Sequence, residues 1–203
     1  MSVVTLAADV SQFSAIGVTT AGFALGMALL GAEHWRWYRG SGGTAPAGGK
    51  GKGKGAAPAA AKALDPKAML PYWFGLTCGI LMVACPGGLL GSISEIFRWA
   101  GNGIGGVAMD WLTGRKSATL AQGGAPDVDE FGAVLVCALF LVLILLRKVF
   151  PKTVRGKWWK GAFTSSLLCI TTGTAAWIAE SVVSGTNSLG QMLLDAAARG
   201  TFV

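Results

Sequence analysis

The chain has 203 residues, of which 52% are hydrophobic and 13% are charged, and its mean hydropathy is +0.54. Soluble domains carry about 25% charged residues, so this composition argues against a soluble enzyme domain and favours a protein embedded in a lipid bilayer. The formal net charge is +7, and the distribution of that charge along the chain is more informative than its sum.

The first predicted element is a membrane-spanning helix at about residues 12–32, close to the roughly 20 apolar residues that cross a bilayer. The first ten residues contain no Lys or Arg. Because a secretory signal peptide begins with positive charge, we expect this helix to be retained. Gly22 and Gly26 form a GxxxG pair, which predicts close helix packing, either within the chain or between copies of it.

A low-complexity basic segment follows at residues 41–66, and it is too polar and too rich in Gly to fold by itself. Five lysines in or beside it predict docking of a polyanion or a partner: Lys50, Lys52, Lys54, Lys62 and Lys67. Anionic lipid is the nearest candidate at a membrane surface. Cytoplasmic DNA, or an acidic protein, is the alternative partner.

The second predicted span covers about residues 69–91, where Gly75 and Gly79 form a further GxxxG pair. Pro86 is expected to kink or interrupt this span. Apolar residues then recur at three- and four-residue steps across 93–112, which predicts an amphipathic helix at the outer interface or packed on the bundle.

The third and fourth predicted spans lie at about 131–150 and 162–183, and a second amphipathic helix is predicted at 186–199. The pattern therefore predicts an all-α polytopic membrane protein with four transmembrane helices. These helices form two parallel two-helix repeats, each followed by an outer amphipathic helix.

The positive charge marks two loops. The loop after the first span contains seven Lys and Arg residues and the loop between the third and fourth spans contains six, which is 13 of the 17 in the chain. Because Lys and Arg favour the cytoplasmic side, we expect both basic loops in the cytoplasm and both termini outside, in a bacterial plasma membrane. Seven aromatic residues beside these loops predict a belt at the cytoplasmic interface: Trp35, Trp37, Tyr38, Tyr72, Trp73, Trp158 and Trp159.

An internal repeat supports this arrangement. Residues 93–112 and 178–197 match without gaps at an offset of 85, and a second match relates Asp9 to Asp127 at an offset of 118. We therefore predict a tandem duplication of one membrane unit, with unit 1 at residues 1–114 and unit 2 at residues 125–203. The difference between the two offsets gives unit 1 a further 33 residues, most of them in the basic segment.

Residues that could carry chemistry are few. His34 is the only histidine, no Ser/His/Asp set is present, and the four cysteines lack the spacing of a zinc site. The sequence therefore predicts no enzyme activity and no metal or cofactor. Glu95 and Glu180 are the repeated acids closest to the membrane. Ionisable groups there are costly, so these two are candidates for an ion or proton path, the alternative being carboxylates that reach the outer interface.

The spans at 12–32 and 69–91, with the intervening stretch GGKGKGKGAAPAAAK, resemble the plasmid-spread (Spd-type) membrane proteins of mycelial bacteria. The resemblance covers less than half of the chain, and it implies a role in DNA transfer between cells beside a DNA-pumping partner. From the sequence we predict a non-enzymatic membrane protein that acts as an oligomeric pore or membrane anchor in a larger assembly. A phage-type holin and a small transporter subunit are the alternatives.

Overall fold

The computed structural model describes residues 17–41, 66–146 and 151–199, and in these ranges the predicted all-α class is confirmed. In the described ranges the fold consists of six helices and one short antiparallel sheet formed by the strands β1 and β2. The elements in chain order are β1 (Val18–Thr19), α1 (Thr20–Ser41), a 3-10 turn (Pro66–Ala68), α2 (Leu70–Val83), α3 (Gly88–Thr113), β2 (Thr119–Ala121), α4 (Glu130–Leu146), α5 (Lys152–Leu168) and α6 (Gly173–Arg199).

The predicted span at 69–91 is two helices. α2 ends at Val83 and α3 begins at Gly88, with an angle of 109° between them. Pro86 has no backbone N–H to continue α2, and Gly88 adopts a φ of 72°, which glycine reaches without steric cost. The expected interruption at Pro86 is therefore present, and residues 69–91 do not form one continuous helix.

The same break occurs in the second half without a proline. α5 ends at Leu168 and α6 begins at Gly173, whose φ is again 72°. The predicted span at 162–183 is therefore interrupted at residues 169–172, and the predicted tail helix at 186–199 is the end of a helix of 27 residues. The apolar pattern runs through the break, so hydropathy alone does not reveal it.

None of the described helices is by itself both long enough and apolar enough to cross a membrane. The bent pair α2 and α3 meets the length and composition criteria together, and α4 is a shorter apolar helix of 17 residues. The predicted four membrane spans therefore stay a prediction.

The centre of the fold is the contact between α2 and α5. The Cα of Gly75 faces the backbone carbonyl of Trp158, and Gly79 faces Ala162 one turn further along. Residue numbers rise together along the two helices, so the helices run parallel. A glycine of the other helix makes the same kind of contact, since Gly161 of α5 faces the carbonyl of Tyr72 on α2. Glycine lets the two backbones approach closely because it has no Cβ.

In each half of the chain, an asparagine side chain is also hydrogen-bonded to the residue that caps the start of one helix. In the first half, Asn102 Oδ1 accepts a hydrogen bond from the backbone N–H of Thr19 (3.1 Å), and Thr19 Oγ1 caps α1 at the N–H of Gly22 (3.0 Å). In the second half, Asn187 Oδ1 accepts from the N–H of Asp129 (3.3 Å), and Asp129 Oδ1 accepts from the N–H of Gly132 (2.7 Å). The two halves therefore contain the same asparagine-to-cap arrangement.

The buried faces of α3 and α6 match as well. Both helices bury a stripe of four positions that lie 85 residues apart, namely Ser94, Arg98, Gly101 and Gly105 on α3 and Ala179, Val183, Thr186 and Gly190 on α6. Gly105 faces the carbonyl of Ala21 and Gly190 faces that of Phe131, at the starts of α1 and α4. The offset of 85 found in the sequence is thus also an offset between structurally equivalent positions.

The structure gives a different offset at the start of the unit. Thr19 and Asp129 occupy equivalent capping positions, which corresponds to an offset of 110 rather than 118. The matching segment that begins at Asp9 lies outside the described residues up to residue 16. With 110 and 85 as the two offsets, the first half is longer by 25 residues, close to the length of the basic segment at 41–66.

We expect the two asparagines to contribute unequally to stability. Asn102 also accepts from Thr19 Oγ1 (3.1 Å) and donates to the carbonyl of Gly17 (2.8 Å). Each net hydrogen bond is worth about 1 kcal/mol, so Asn102→Ala should lower the free energy of unfolding by about 2–3 kcal/mol and Asn187→Ala by about 1 kcal/mol. SDS titration of the purified variants in mixed micelles measures both values. Equal losses would contradict the bond pattern.

Candidate functional site

The described parts of the two predicted basic loops meet at one end of the fold, where α1 ends and where α2 and α5 begin. Lys160 Nζ of α5 lies 2.9 Å from Glu33 Oε1 of α1, and Lys157 Nζ donates to the carbonyl of Ala68 (2.7 Å) just before α2. We call this region the basic end and define it by seven cationic residues: Arg36, Arg39, Lys67, Lys152, Arg155, Lys157 and Lys160.

Glu33 ties the basic end together. Its residue is only 8% exposed, and its Oε1 pairs with Lys160 (2.9 Å) and with Arg36 (3.4 Å). The pair with Lys160 joins helix α1 of the first half to helix α5 of the second half. A partly buried carboxylate with two cationic neighbours is electrostatically satisfied. Glu33 therefore stabilises the contact between α1 and α5 and is not a free acid.

His34, the one histidine of the chain, also has a structural role. Its Nδ1 is hydrogen-bonded to the carbonyl of Leu30 (2.8 Å), which can only accept, so the ring proton is assigned to Nδ1. Its Nε2 then accepts from the indole N–H of Trp73 (3.3 Å). This contact joins α1 to α2. Both ring nitrogens are engaged within the fold, and no nucleophile is hydrogen-bonded to either of them.

The predicted aromatic belt is divided by the fold. Trp35, Tyr38 and Trp159 are exposed around the basic end, with the Arg39 guanidinium 5.5 Å from the centre of the Trp35 ring. Tyr72, by contrast, is fully buried, and Trp158 is half-buried with its indole nitrogen out of solvent. Tyr72 is therefore not a surface residue of that belt, because its position on the α2–α5 contact turns it inward, whereas the placement of the belt at a membrane interface stays a prediction.

The site residues predicted from the sequence are the docking lysines, the packing glycines and the two glutamates of the proposed ion path. Of the docking lysines, Lys67 lies exposed at the basic end, whereas Lys50, Lys52, Lys54 and Lys62 lie outside the described residues. The packing glycines Gly22, Gly26, Gly75 and Gly79 all face other parts of the same chain. Gly22 faces Asn102, and Gly26 faces Leu167 and Leu168 on α5.

Glu95 and Glu180 occupy equivalent positions, each directly after the first matched residue of its buried stripe. Their surroundings differ. Glu95 is half-buried one helical turn from Arg98, whereas Glu180 is exposed and lines a shallow groove with Asp127 and Asp129. Glu95 does not line that groove. The proposed ion path along these two carboxylates therefore stays a prediction.

Arg98 is a site that the sequence reasoning missed. It is only 5% exposed; its Nε donates to the carbonyl of Ser166 (3.3 Å) and one terminal nitrogen donates to the carbonyl of Gly123 (3.2 Å). The other terminal nitrogen is buried and lacks a partner in the described ranges. The available signal was the position of Arg98 on the stripe of α3 that the 85-residue repeat aligns with apolar Val183.

Metal-binding chemistry finds no support in the described part of the chain, where no three His, Cys, Asp or Glu side chains are grouped to hold an ion. Cys78 and Cys169 are buried, unpaired thiols, which act as small packing residues. In comparisons with known proteins, no family model, no curated protein and no solved structure matches this chain.

Proposed function

We propose that this protein is a non-enzymatic integral membrane protein that acts as an oligomeric anchor or pore in a larger assembly. The observation that carries the proposal is the outward placement of its large apolar side chains. Trp111 is 84% exposed and Leu145 is 78% exposed. Large exposed apolar surfaces mark sites of contact with lipid or a partner, so these exposed side chains support the proposal.

The interior supports the same proposal. Thr164 and Ser166 are fully buried and donate to carbonyls of their own helix, those of Lys160 and Ala162 (both 2.8 Å). Small residues at helix contacts and hydroxyls satisfied within one helix are typical of helices that pack in lipid. Exposed large apolar side chains together with small residues at the helix contacts support a bilayer as the solvent.

We favour an anchor over a pore within one chain. The close approach of α2 and α5 at Gly75 and Gly161 leaves no channel between them. In this proposal, a pore would form between copies of the chain. In this proposal the basic end is cytoplasmic and is the surface for a partner. The resemblance to Spd-type proteins supports a role in DNA transfer between cells.

We further propose that the two halves arose by duplication of one unit. The support is the paired capping arrangement at Thr19 and Asp129 and the matched buried stripes of α3 and α6. Parallel repeats place their pseudo-twofold axis along the membrane normal. In this proposal both basic loops lie on one side of the membrane, and residues 114–129 lie on the other.

Cysteine labelling tests the proposed topology. In a variant whose four native cysteines are replaced by alanine, Lys67→Cys should react with a membrane-impermeant maleimide only after cells are permeabilised. Leu120→Cys, on exposed β2, should react in intact cells. The two sites are matched, because both are exposed and both lie outside the long helices. Labelling of Lys67→Cys in intact cells would overturn the proposal, as would extraction of the protein from membranes by sodium carbonate.

A further inference from the structure

We propose that the basic end binds the phosphate headgroups of anionic phospholipid. The inference rests on the proposed membrane placement and goes beyond it by naming the partner of this surface. The partner is recognised by three features of the described residues: an excess of positive charge, exposed aromatic rings beside the cations, and an adjoining apolar surface.

The basic end carries an excess of positive charge. The three segments that form it, residues 30–41, 66–74 and 151–160, contain seven Lys and Arg residues and a single acid, Glu33. That acid is already paired with Arg36 and Lys160. The charges come from both halves of the chain, and folding brings them together. Like charges held close together repel one another, so an anionic partner stabilises this arrangement.

The starts of α2 and α5 add to the positive field. The two helices begin side by side and run parallel, and neither has an acidic residue in its first turn. The first turn of α5 instead contains Lys152 and Arg155. A helix N-terminus carries partial positive charge and normally attracts acidic side chains, so the cations here intensify an existing positive field.

The aromatic rings favour lipid over nucleic acid as the source of phosphate. Trp35, Tyr38 and Trp159 are exposed beside the cations. Trp and Tyr settle at the headgroup level, where one side of the ring contacts hydrocarbon and the other contacts water. On α2, exposed Phe74 follows directly on Trp73 and continues the surface towards hydrocarbon. Cations with exposed aromatic rings beside them and an adjoining apolar surface match the headgroup region of a membrane leaflet.

Binding of a short-chain fluorescent phosphatidylglycerol to the detergent-solubilised full-length protein tests the proposal, with the phosphatidylcholine analogue as the neutral probe. Each basic residue near an anionic surface contributes about 1 kcal/mol. The double variant Lys152→Gln/Arg155→Gln should therefore bind the anionic probe about 30-fold more weakly. The matched control is Arg115→Gln/Lys116→Gln, which removes the same two charges from exposed positions at the far end of α3 and should bind as the wild type does.

Three results would overturn the proposal. The first is equal binding of the two probes, and the second is equal weakening of binding in both double variants. The third is that Lys152→Gln/Arg155→Gln loses binding of single-stranded or duplex DNA while its binding of phosphatidylglycerol is unchanged. The last of these would assign the surface to nucleic acid. Resistance of each variant to sodium carbonate extraction separates this test from the proposed function. A protein that stays in the membrane but does not prefer the anionic probe contradicts only the lipid inference.

Discussion

Replacing Gly75 by leucine should separate α2 from α5 and cost about 3 kcal/mol or more of the free energy of unfolding. A Cβ at this position collides with the backbone carbonyl of Trp158, and backbone cannot move aside as the end of a flexible side chain can. The collision lies at the centre of the fold, where both halves of the chain meet. SDS titration in mixed micelles measures the loss, and size-exclusion chromatography checks whether the variant remains monodisperse.

The chain supplies both a matched variant and a control for this experiment. Gly161→Leu creates the equivalent collision with the carbonyl of Tyr72 and should cost a similar amount. Gly103 lies within α3 with open space around its Cα, so Gly103→Leu should change stability by less than about 1 kcal/mol. Small effects at Gly75 and Gly161 would contradict the close parallel packing of α2 and α5.

The sequence contained much of the fold's organisation. The identities at an offset of 85 relate Asn102 to Asn187 and Gly105 to Gly190, and in the structure these residues contact the starts of α1 and α4 in the same way. The described Lys and Arg residues of the two predicted basic loops likewise belong to one end of the fold. Such features are local or periodic, so they can be read from residue order alone.

The helix breaks were harder to place because hydropathy does not register backbone conformation. Pro86 signals the first break, but the second depends on Gly173 alone, and glycine is also common within membrane helices. The burial of Tyr72 was likewise hidden, since a Tyr beside a basic loop resembles an interfacial anchor. Its environment is set by Gly161, which lies 89 positions away in the sequence and reaches it only through the fold.

At the candidate site, too, the sequence predicts features that depend on local composition but not contacts between distant residues. The net charge of the basic end follows from composition, whereas the pairing of Glu33 with Lys160 depends on the contact between α1 and α5. Arg98 was missed for a related reason. A lone Arg in an amphipathic pattern is normally assigned to the polar face, and only the alignment with Val183 reveals that its position faces inward.

Arg98→Ala should lower the free energy of unfolding by about 3 kcal/mol. The substitution removes a buried side chain and leaves the carbonyls of Ser166 and Gly123 without their donor. It should also loosen the connection between the halves, because Gly123 lies in the segment that follows β2 and pairs with Ile170 at the end of α5. Hydrogen exchange of the amides at residues 119–126 should therefore speed up, and mass spectrometry of proteolytic fragments measures this directly.

Two further variants separate packing from hydrogen bonding at this site. Arg98→Met keeps most of the buried stem and removes an unpaired buried charge, so its stability should stay within about 1 kcal/mol of the wild type, while exchange at residues 119–126 still speeds up. Val183→Ala, at the equivalent position on α6, should cost about 1–2 kcal/mol and leave exchange at 119–126 unchanged. If Arg98→Met leaves that exchange unchanged, the guanidinium does not hold the connecting segment. The repeat would then differ at this position without a structural consequence for the link between its halves.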